Sequence, residues 1–359
     1  MSRLSAICRK VQSRERITSD EALTLYRDAD LLLLGNLARE RAAAVHPRNI
    51  TTFIIDRNIN YTNICTSKCR FCAFYRDVSS PEAYLLSPEE VLEKIAEAVS
   101  LGATQIMLQG GLHPELGMDY FQNLLKKIKA RFNICIHSFS PPEIFHLAKR
   151  SGLTVAEVLL SLREAGLDSL PGGGAEILSD RVRQLISPCK ISSAAWLAVM
   201  ETAHQMGLKT TATMVIGIIE TVEERIEHLG RVRELQDKTG GFRAFIPWTF
   251  KTGNTELGGA EISPLEYLRT LALSRIYLDN IENIQGSWVT QGPDIGQITL
   301  FFGANDLGSI MLEENVVRAA GASYRLSEEE MVNLIRTADK IPAQRNTEYK
   351  IIKTYNLKS

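Results

Sequence analysis

The chain has 359 residues, 45% of them hydrophobic and 23% charged, with a formal net charge of -1 and a sequence pI near 6.6. That is the composition of a globular protein with a full core, and its near-zero charge excludes a nucleic-acid-binding stripe or a polybasic membrane patch. The first residues, MSRLSAICRKVQSRER, hold no apolar stretch long enough for a secretory signal, and the run ADLLLLGNLA falls well short of the ~20 residues that span a bilayer. A cytoplasmic protein without membrane insertion or nucleic-acid partner is expected.

Residues 1–48 read as a helical extension, carried by SDEALTLYRDADLLLLGNLARERAAAV. From residue 49 onward, short β-rich runs alternate with helical stretches. The strand candidates, in order, are TTFIIDRNINYTNI, TQIMLQGG, NICIHSFS, LDSLPGG, KTTATMVIG, FRAFIPW, NIQGSWV and ITLFFGAND. Helix starts are marked by Ser87-Pro88-Glu89-Glu90 and by the pairs Ser140/Glu143, Thr154/Glu157 and Thr221/Glu224, all at capping-box spacing. SLREAG and TAHQMG end on Gly, as a left-handed C-cap would. Residues 326–359 hold one more amphipathic helix, SEEEMVNLIRTADKI, and a tail.

Alternating β and α elements imply a parallel sheet buried under its crossover helices. Eight such units over ~250 residues match a closed (β/α)8 TIM-type barrel over residues 49–325. A six-stranded partial barrel, with the last two runs in a separate role, is the alternative. In a barrel, reactive groups belong on the loops that follow the strands.

Six cysteines in a large chain without a secretory signal argue for metal or catalytic use rather than a disulfide framework. Cys8, Cys135 and Cys189 stand alone and read as small buried hydrophobes. Cys65, Cys69 and Cys72 follow the first strand in NYTNICTSKCRFCAFYR, a C-x3-C-x2-C group. A structural zinc site wants four ligands, commonly two C-x2-C pairs; no second pair exists, although His113 or His137 could complete a set. A ferredoxin-type cluster wants a fourth cysteine, and none follows at a suitable spacing. Three thiolates on a cubane leave one iron open to chemistry.

This triplet, placed after the first strand of a barrel, resembles the radical S-adenosylmethionine (SAM) superfamily. The resemblance implies a [4Fe-4S] cluster on Cys65, Cys69 and Cys72, with SAM chelating the fourth iron. Reductive cleavage then yields methionine and a 5′-deoxyadenosyl radical, the protein supplying position and exclusion of solvent. An external electron donor such as flavodoxin or ferredoxin is implied too. Phe71 stands where the superfamily packs an aromatic on the adenine; the other reading is a loop aromatic capping the barrel. Gln109, Gly110 and Gly111 stand where a glycine motif binds the methionine amine; the other reading is a plain turn. In LPGGGAEI, Gly173 and Gly174 suggest a backbone-lined cavity and Glu176 a carboxylate for ribose hydroxyls; the spacing is not that of a dinucleotide fingerprint. Ser138 joins the cofactor-binding set, as does Arg183. Arg181 and Arg183 could offer a guanidinium to a carboxylate, or be solvated helix charges.

A narrower resemblance runs from about residue 20 to the C-terminus. QGGLHPELGMDYF, HSFSPPEI, LDSLPGGGAEIL, TTATMVIGIIET, ELQDKTGGFRAFIPW and GSWVTQGPDIGQITLFFGANDLGSIMLEENVVRAAGA are similar to the cyclic dehypoxanthine futalosine synthase family of menaquinone biosynthesis. Aminofutalosine synthases share several of these stretches, but SWVTQGP and GANDLGSIMLEENV side with the cyclase, the synthase having Asp at the position of Asn305. Ile218 stands where the family is expected to carry His, so no catalytic imidazole is expected there.

The resemblance implies that the deoxyadenosyl radical takes hydrogen from ribose C4′ of dehypoxanthine futalosine. The carbon radical adds to the benzoate ring, and loss of an electron and a proton leaves a spiro product. The alternatives are an aminofutalosine synthase-like enzyme, adding the adenosyl radical to an enolpyruvyl benzoate, and a non-catalytic iron–sulfur or zinc protein. Holding ribose and arene in attack geometry is a positioning problem. Trp248 and Trp288 are candidate walls, and His113, Thr290, Gln291, Asn305 and Glu313 candidate polar contacts; each can also be a structural barrel residue. Glu176 and His113 are the candidates for catalysis, and Arg76 and Arg243 for the benzoate.

Overall fold

The run at 50–59 bends at Ile55 and splits into β1 (Ile50–Ile54) and β2 (Asp56–Ile59). The structure, a computed structural model, describes residues 2–355. β3 (Gln105–Leu108), β4 (Cys135–Ile136), β5 (Ser169–Leu170), β6 (Lys209–Ile216), β7 (Phe242–Thr249), β8 (Asn283–Ile284) and β9 (Asp306–Ser309) follow. Pairing is parallel in the orders β2-β3-β4 and β5-β6-β7-β8. Single parallel bridges, His137 to Ser169 and Gln285 to Asp306, join these groups, and β9 pairs with β1. The ring therefore closes with β1 and β2 as one bent strand, and the partial barrel is not what forms.

Most runs fold as their composition predicts, but the last two do not. In NIQGSWV only Asn283–Ile284 is strand, and Trp288–Gln291 turns into a short helix. In ITLFFGAND, Thr299–Phe301 is a 3-10 turn and the strand begins only at Asp306. A helix opened by Pro293 runs into that turn, and the Phe302 ring sits where a side chain on Gly35 would be, 2.8 Å from its ideal Cβ. Packing against the N-terminal helices overrides β propensity here.

Caps form as the sequence spells them at Ser87/Glu90, Thr154/Glu157 and Thr221/Glu224. Ser140 is the exception: it makes no side-chain cap bond, and Glu143 turns into the protein. Helices Arg3–Gln12, Ser19–Asp28 and Leu31–Val45 pack outside the barrel on helices Val222–Thr239 and Pro264–Tyr277. Arg269 fastens them by donating to Tyr26 O at 2.8 Å and Ala29 O at 2.7 Å.

After the helix Glu328–Thr337 the chain makes a hairpin where the sequence predicts only a tail; residues 356–359 lie outside the described residues. β10 (Ile341–Arg345) runs parallel to β1, and β11 (Ile351–Thr354) pairs back on it. The hairpin sits beside the start of β1, at the end of the barrel opposite the cysteine loop. The apolar core lies between strands and helices in two clusters. TIM-type barrels usually fill their lumen with side chains; here it holds a cavity of about 350 Å³. Among the described residues, no helix is long and apolar enough to cross a membrane.

Candidate active site

Cys65, Cys69 and Cys72 sit on the loop between β2 and helix Pro88–Ser100. Backbone bonds shape it: Cys65 N donates to Arg76 O at 3.1 Å, Thr66 N to Leu112 O at 3.1 Å, and Cys72 N to Cys69 O at 3.0 Å. Arg76 braces the same loop, donating to Ala73 O and Tyr75 O at 2.9 Å and pairing with Glu82 at 2.5 Å, so it does not face the cavity. Burial pushes the Cys69 thiol up to about 12 and raises Cys72, so a metal must displace these protons to bind thiolates.

The loop fits a cluster better than a single ion. Among the described residues, no three of His, Cys, Asp and Glu gather closely enough to hold one ion, whereas a cubane spreads its thiolates over separate corners. Both histidines weighed for zinc are engaged: His113 Nδ1 accepts from Glu115 N at 3.1 Å, and His137 Nδ1 bonds Ser169 Oγ at 2.8 Å. Close backbone approach shields the loop: a Cβ on Gly111 would stand 2.1 Å from Ile64 O and 2.8 Å from Cys65 Cβ. Of the other cysteines, Cys8 and Cys135 are half-buried, while Cys189 is exposed rather than the buried hydrophobe expected.

Glu143 is the carboxylate that capping-box spacing concealed. Its Oε1 accepts from Tyr61 OH at 2.9 Å and Gly110 N at 3.1 Å, and its Oε2 from Ser140 Oγ at 2.6 Å. It thereby pins the Gln109–Gly111 turn beneath the cysteine loop. Burial pushes its carboxyl up to about 7 from an ordinary 4.5. The fold binds this proton more tightly than the unfolded chain, so stability falls as pH rises from about 4.5 to about 7 and stays lower above. Wild type should therefore lose roughly 3 kcal/mol relative to Glu143→Gln between pH 4.5 and 8. Parallel denaturation of the two proteins across that range measures it, and a pH-independent difference would mean the carboxyl titrates as if exposed.

Glu176 stands in the cavity wall with Phe71 and Cys72. It is 6% exposed and adopts left-handed backbone, φ 40°, a strain that persists only where surrounding contacts impose it. Lys190 Nζ donates to Glu176 Oε1 at 3.0 Å and lies 5.1 Å from the Phe71 ring centre. Burial works against the Lys190 charge, yet Cys69 and Glu176 hold it above the usual lysine range. Glu176 Oε2 is buried with no hydrogen-bond partner, though Arg183 approaches to 3.7 Å. Lys190 escaped sequence reading, its only signal being a cation 14 residues past Glu176.

Gln109, Gly173, Gly174, Trp248, Trp288 and Thr290 also line the cavity. Several other expected site residues do not. Arg183 commits its guanidinium to Ala175 O, Gly174 O and Ile191 O, fastening the glycine loop, and Arg181 pairs with Glu224 at the surface. Ser138 Oγ accepts from Leu108 N, tying β3 to β4. Gly110 faces the Tyr61 ring, and Gly111 faces the cysteine loop. Gln291 braces Thr249 at 2.7 Å. Asn305 accepts from Arg275 and from Ile284 N, and donates to Asn283. Glu313 pairs with Arg57 and Lys94 away from the lumen. His113 likewise lies off the cavity and serves its own turn.

Below Trp248 the lumen becomes polar. Asp56 accepts from Gln105 Nε2 at 2.6 Å and from Ser309 Oγ, and burial raises its carboxyl above the usual range. His137 is driven down to about 3 by burial and by Arg243, which keeps its ring neutral. Arg345 and Asp306 make a fully buried pair at 2.6 Å. Arg243 and Tyr349 complete this end.

Comparison with known proteins identifies the family. Residues 59–232 match the radical SAM superfamily model, and residues 239–357 the CofH/MqnC C-terminal region. The chain is 47% identical over 98% of its length to the cyclic dehypoxanthine futalosine synthase of Halalkalibacterium halodurans, covering 96% of that protein. It is 44% identical over 85% of its length to the 5-amino-6-(D-ribitylamino)uracil–L-tyrosine 4-hydroxyphenyl transferase of Methanopyrus kandleri, covering 85% of that protein. The fold is that of the FeFe-hydrogenase maturase HydG from Carboxydothermus hydrogenoformans, with TM-score 0.77 at 18% identity over 96% of this chain and 80% of that one. The chain belongs to the radical SAM superfamily and, within it, to the family of the cyclic dehypoxanthine futalosine synthases and their transferase relatives.

Proposed function

We propose that this chain cyclises dehypoxanthine futalosine, a step of menaquinone biosynthesis. The observation that carries the reading is the lumen itself, one cavity running from Phe71 and Cys72, past Glu176, Trp248 and Trp288, to a polar floor. The near-full-length likeness to curated cyclases supports it.

Cys65, Cys69 and Cys72 would hold a [4Fe-4S] cluster, and Phe71, Gln109, Gly173, Gly174 and Glu176 would line a SAM site beside it. When bound, the cluster and SAM supply a 5′-deoxyadenosyl radical, given an electron from an external flavodoxin- or ferredoxin-like donor. The protein's part is placement and dryness. Lys190 fixes Glu176 so that the unpartnered Oε2 can accept from a ribose hydroxyl. Trp288, 1% exposed and tied by its Nε1 to Ser309 O, and Trp248 make rigid walls that keep water from an organic radical. His113 does not line this cavity and has no part in the chemistry proposed.

In the substrate, the C4′–H bond breaks by loss of a hydrogen atom and a carbon–carbon bond forms to the arene. One electron and one proton then leave the ring, so the product is two hydrogens lighter than the substrate. The archaeal relatives define a second reading, transfer of the 4-hydroxyphenyl group of L-tyrosine. Enolpyruvyl benzoate, the aminofutalosine synthase substrate, defines a third. Supplying the three substrates anaerobically with SAM and a reductant separates them by product mass. Turnover of dehypoxanthine futalosine alone is expected; turnover of either other substrate with that one untouched would overturn the cyclase reading.

A further inference from the structure

At the floor of the lumen stands a cation, Arg243, with no anion paired to it among the described residues. Arg243 enters from the start of β7 and lines the cavity. Among the described residues its guanidinium makes two long contacts with neutral oxygens, Ser169 Oγ at 3.4 Å and Thr347 O at 3.3 Å. Among the described residues, no carboxylate lies within ion-pair distance of it. The acid whose charge it feels most, Glu348, is exposed and already paired with Lys350 at 2.6 Å.

Its neighbours differ. Arg345 is neutralised by Asp306, through bonds of 2.6 Å and 3.0 Å. Asp56, the lumen's own carboxylate, is held by Gln105 and Ser309. Beside Arg243 stands Tyr349, on left-handed backbone at φ 61° and with its ring 3.8 Å from the Arg345 guanidinium. The Tyr349 hydroxyl is buried, lines the cavity and has no hydrogen-bond partner. A half-buried guanidinium and an orphaned hydroxyl facing one cavity are both donors, and leaving them unmet is costly. A carboxylate from a ligand would satisfy both, taking two parallel bonds from the guanidinium fork.

We propose that Arg243, helped by Tyr349, binds the aromatic carboxylate of the substrate at the floor of the barrel. This rests on the cyclase reading, which supplies a benzoate. Residues 243 and 248 are separated by roughly 16 Å of strand, room for the arene to stand on Arg243 while the ribose rises between Trp248 and Glu176. The carboxylate end sets the depth of the substrate, and depth decides which ribose hydrogen faces the cysteine loop. Arg76, the other cation considered for this role, is committed to the loop and to Glu82.

The test compares dehypoxanthine futalosine with its carboxylate methyl ester on reconstituted wild type, Arg243→Ala and Arg243→Lys. In wild type the ester should raise KM about 10- to 100-fold over the acid, the range for a charged hydrogen-bonded contact. Arg243→Ala should raise KM for the acid by a similar factor and no longer distinguish acid from ester, with Arg243→Lys between. Substrate-independent SAM cleavage should stay at the wild-type rate in both variants, which reports an intact upper site. Equal use of acid and ester by wild type would overturn the carboxylate site and leave the cyclase reading standing. No wild-type turnover of dehypoxanthine futalosine would overturn both.

Discussion

Cys69→Ala is expected to yield a folded protein that holds no stable cluster and makes no product, and Cys65→Ala and Cys72→Ala should do the same. Each thiolate would bind a separate corner of the cubane. The fold should survive because the triplet lies on a loop held by backbone bonds, while the apolar core is built elsewhere. Cys8→Ser, Cys135→Ala and Cys189→Ser should keep iron at the wild-type ratio, since none of these residues adjoins the loop's ligand positions in the chain. Iron and sulfide analysis after anaerobic reconstitution, with circular dichroism for the fold, reads this out. A Cys69→Ala protein with wild-type iron would sink the assignment of the triplet.

Breaking the buried pair at the barrel floor should bring the largest loss of stability. Asp306 is 0% exposed and accepts from Arg345 Nε at 2.6 Å and Nη2 at 3.0 Å, Thr52 Oγ1 at 2.6 Å and Gly308 N at 2.8 Å. These bonds join the closing strand of the barrel, the first strand and the C-terminal hairpin. Removing one partner leaves the other charge buried and uncompensated, which costs about 3–5 kcal/mol. Arg345→Met should therefore destabilise by that amount, and Asp306→Asn by a comparable one. The double variant should cost less than the sum, because neither buried charge then remains. Denaturation midpoints of the three proteins decide it; a loss under about 1 kcal/mol for Arg345→Met would show that water reaches the pair.

The barrel was legible because its signals are local. Alternating β-rich runs, capping boxes such as those at Ser87, Thr154 and Thr221, and glycine stops repeat along the chain, and each depends on residues close in sequence. The eighth strand was misplaced because ITLFF has strand composition but packs as a turn against the N-terminal helices, a long-range effect. The hairpin at 341–354 escaped notice because only its pairing with β1, nearly 300 residues earlier, makes it part of the sheet.

The same division runs through the site. That Cys72, Phe71, Glu176, Trp248 and Trp288 share one cavity was legible from their places just after or at the ends of β-rich runs. Ser138, Arg183, Asn305 and Glu313 sit beside motif residues, but their side chains turn to backbone or ion partners outside the lumen. Glu143 was hidden because Ser-x-x-Glu spells a cap and a buried hydrogen-bond hub alike. Lys190 and Arg243 are single cations whose meaning comes only from what the fold leaves beside them, Glu176 in one case and, among the described residues, no ion-paired acid in the other.

Hydrogen is expected to leave ribose C4′ for a 5′-deoxyadenosyl radical. Substrate carrying deuterium at C4′ tests this most directly, with the mass of 5′-deoxyadenosine as the readout. Transfer of the label should raise that mass by one unit while cyclised product accumulates. Product formed with 5′-deoxyadenosine free of deuterium, or SAM consumed with no free 5′-deoxyadenosine, would contradict the claim.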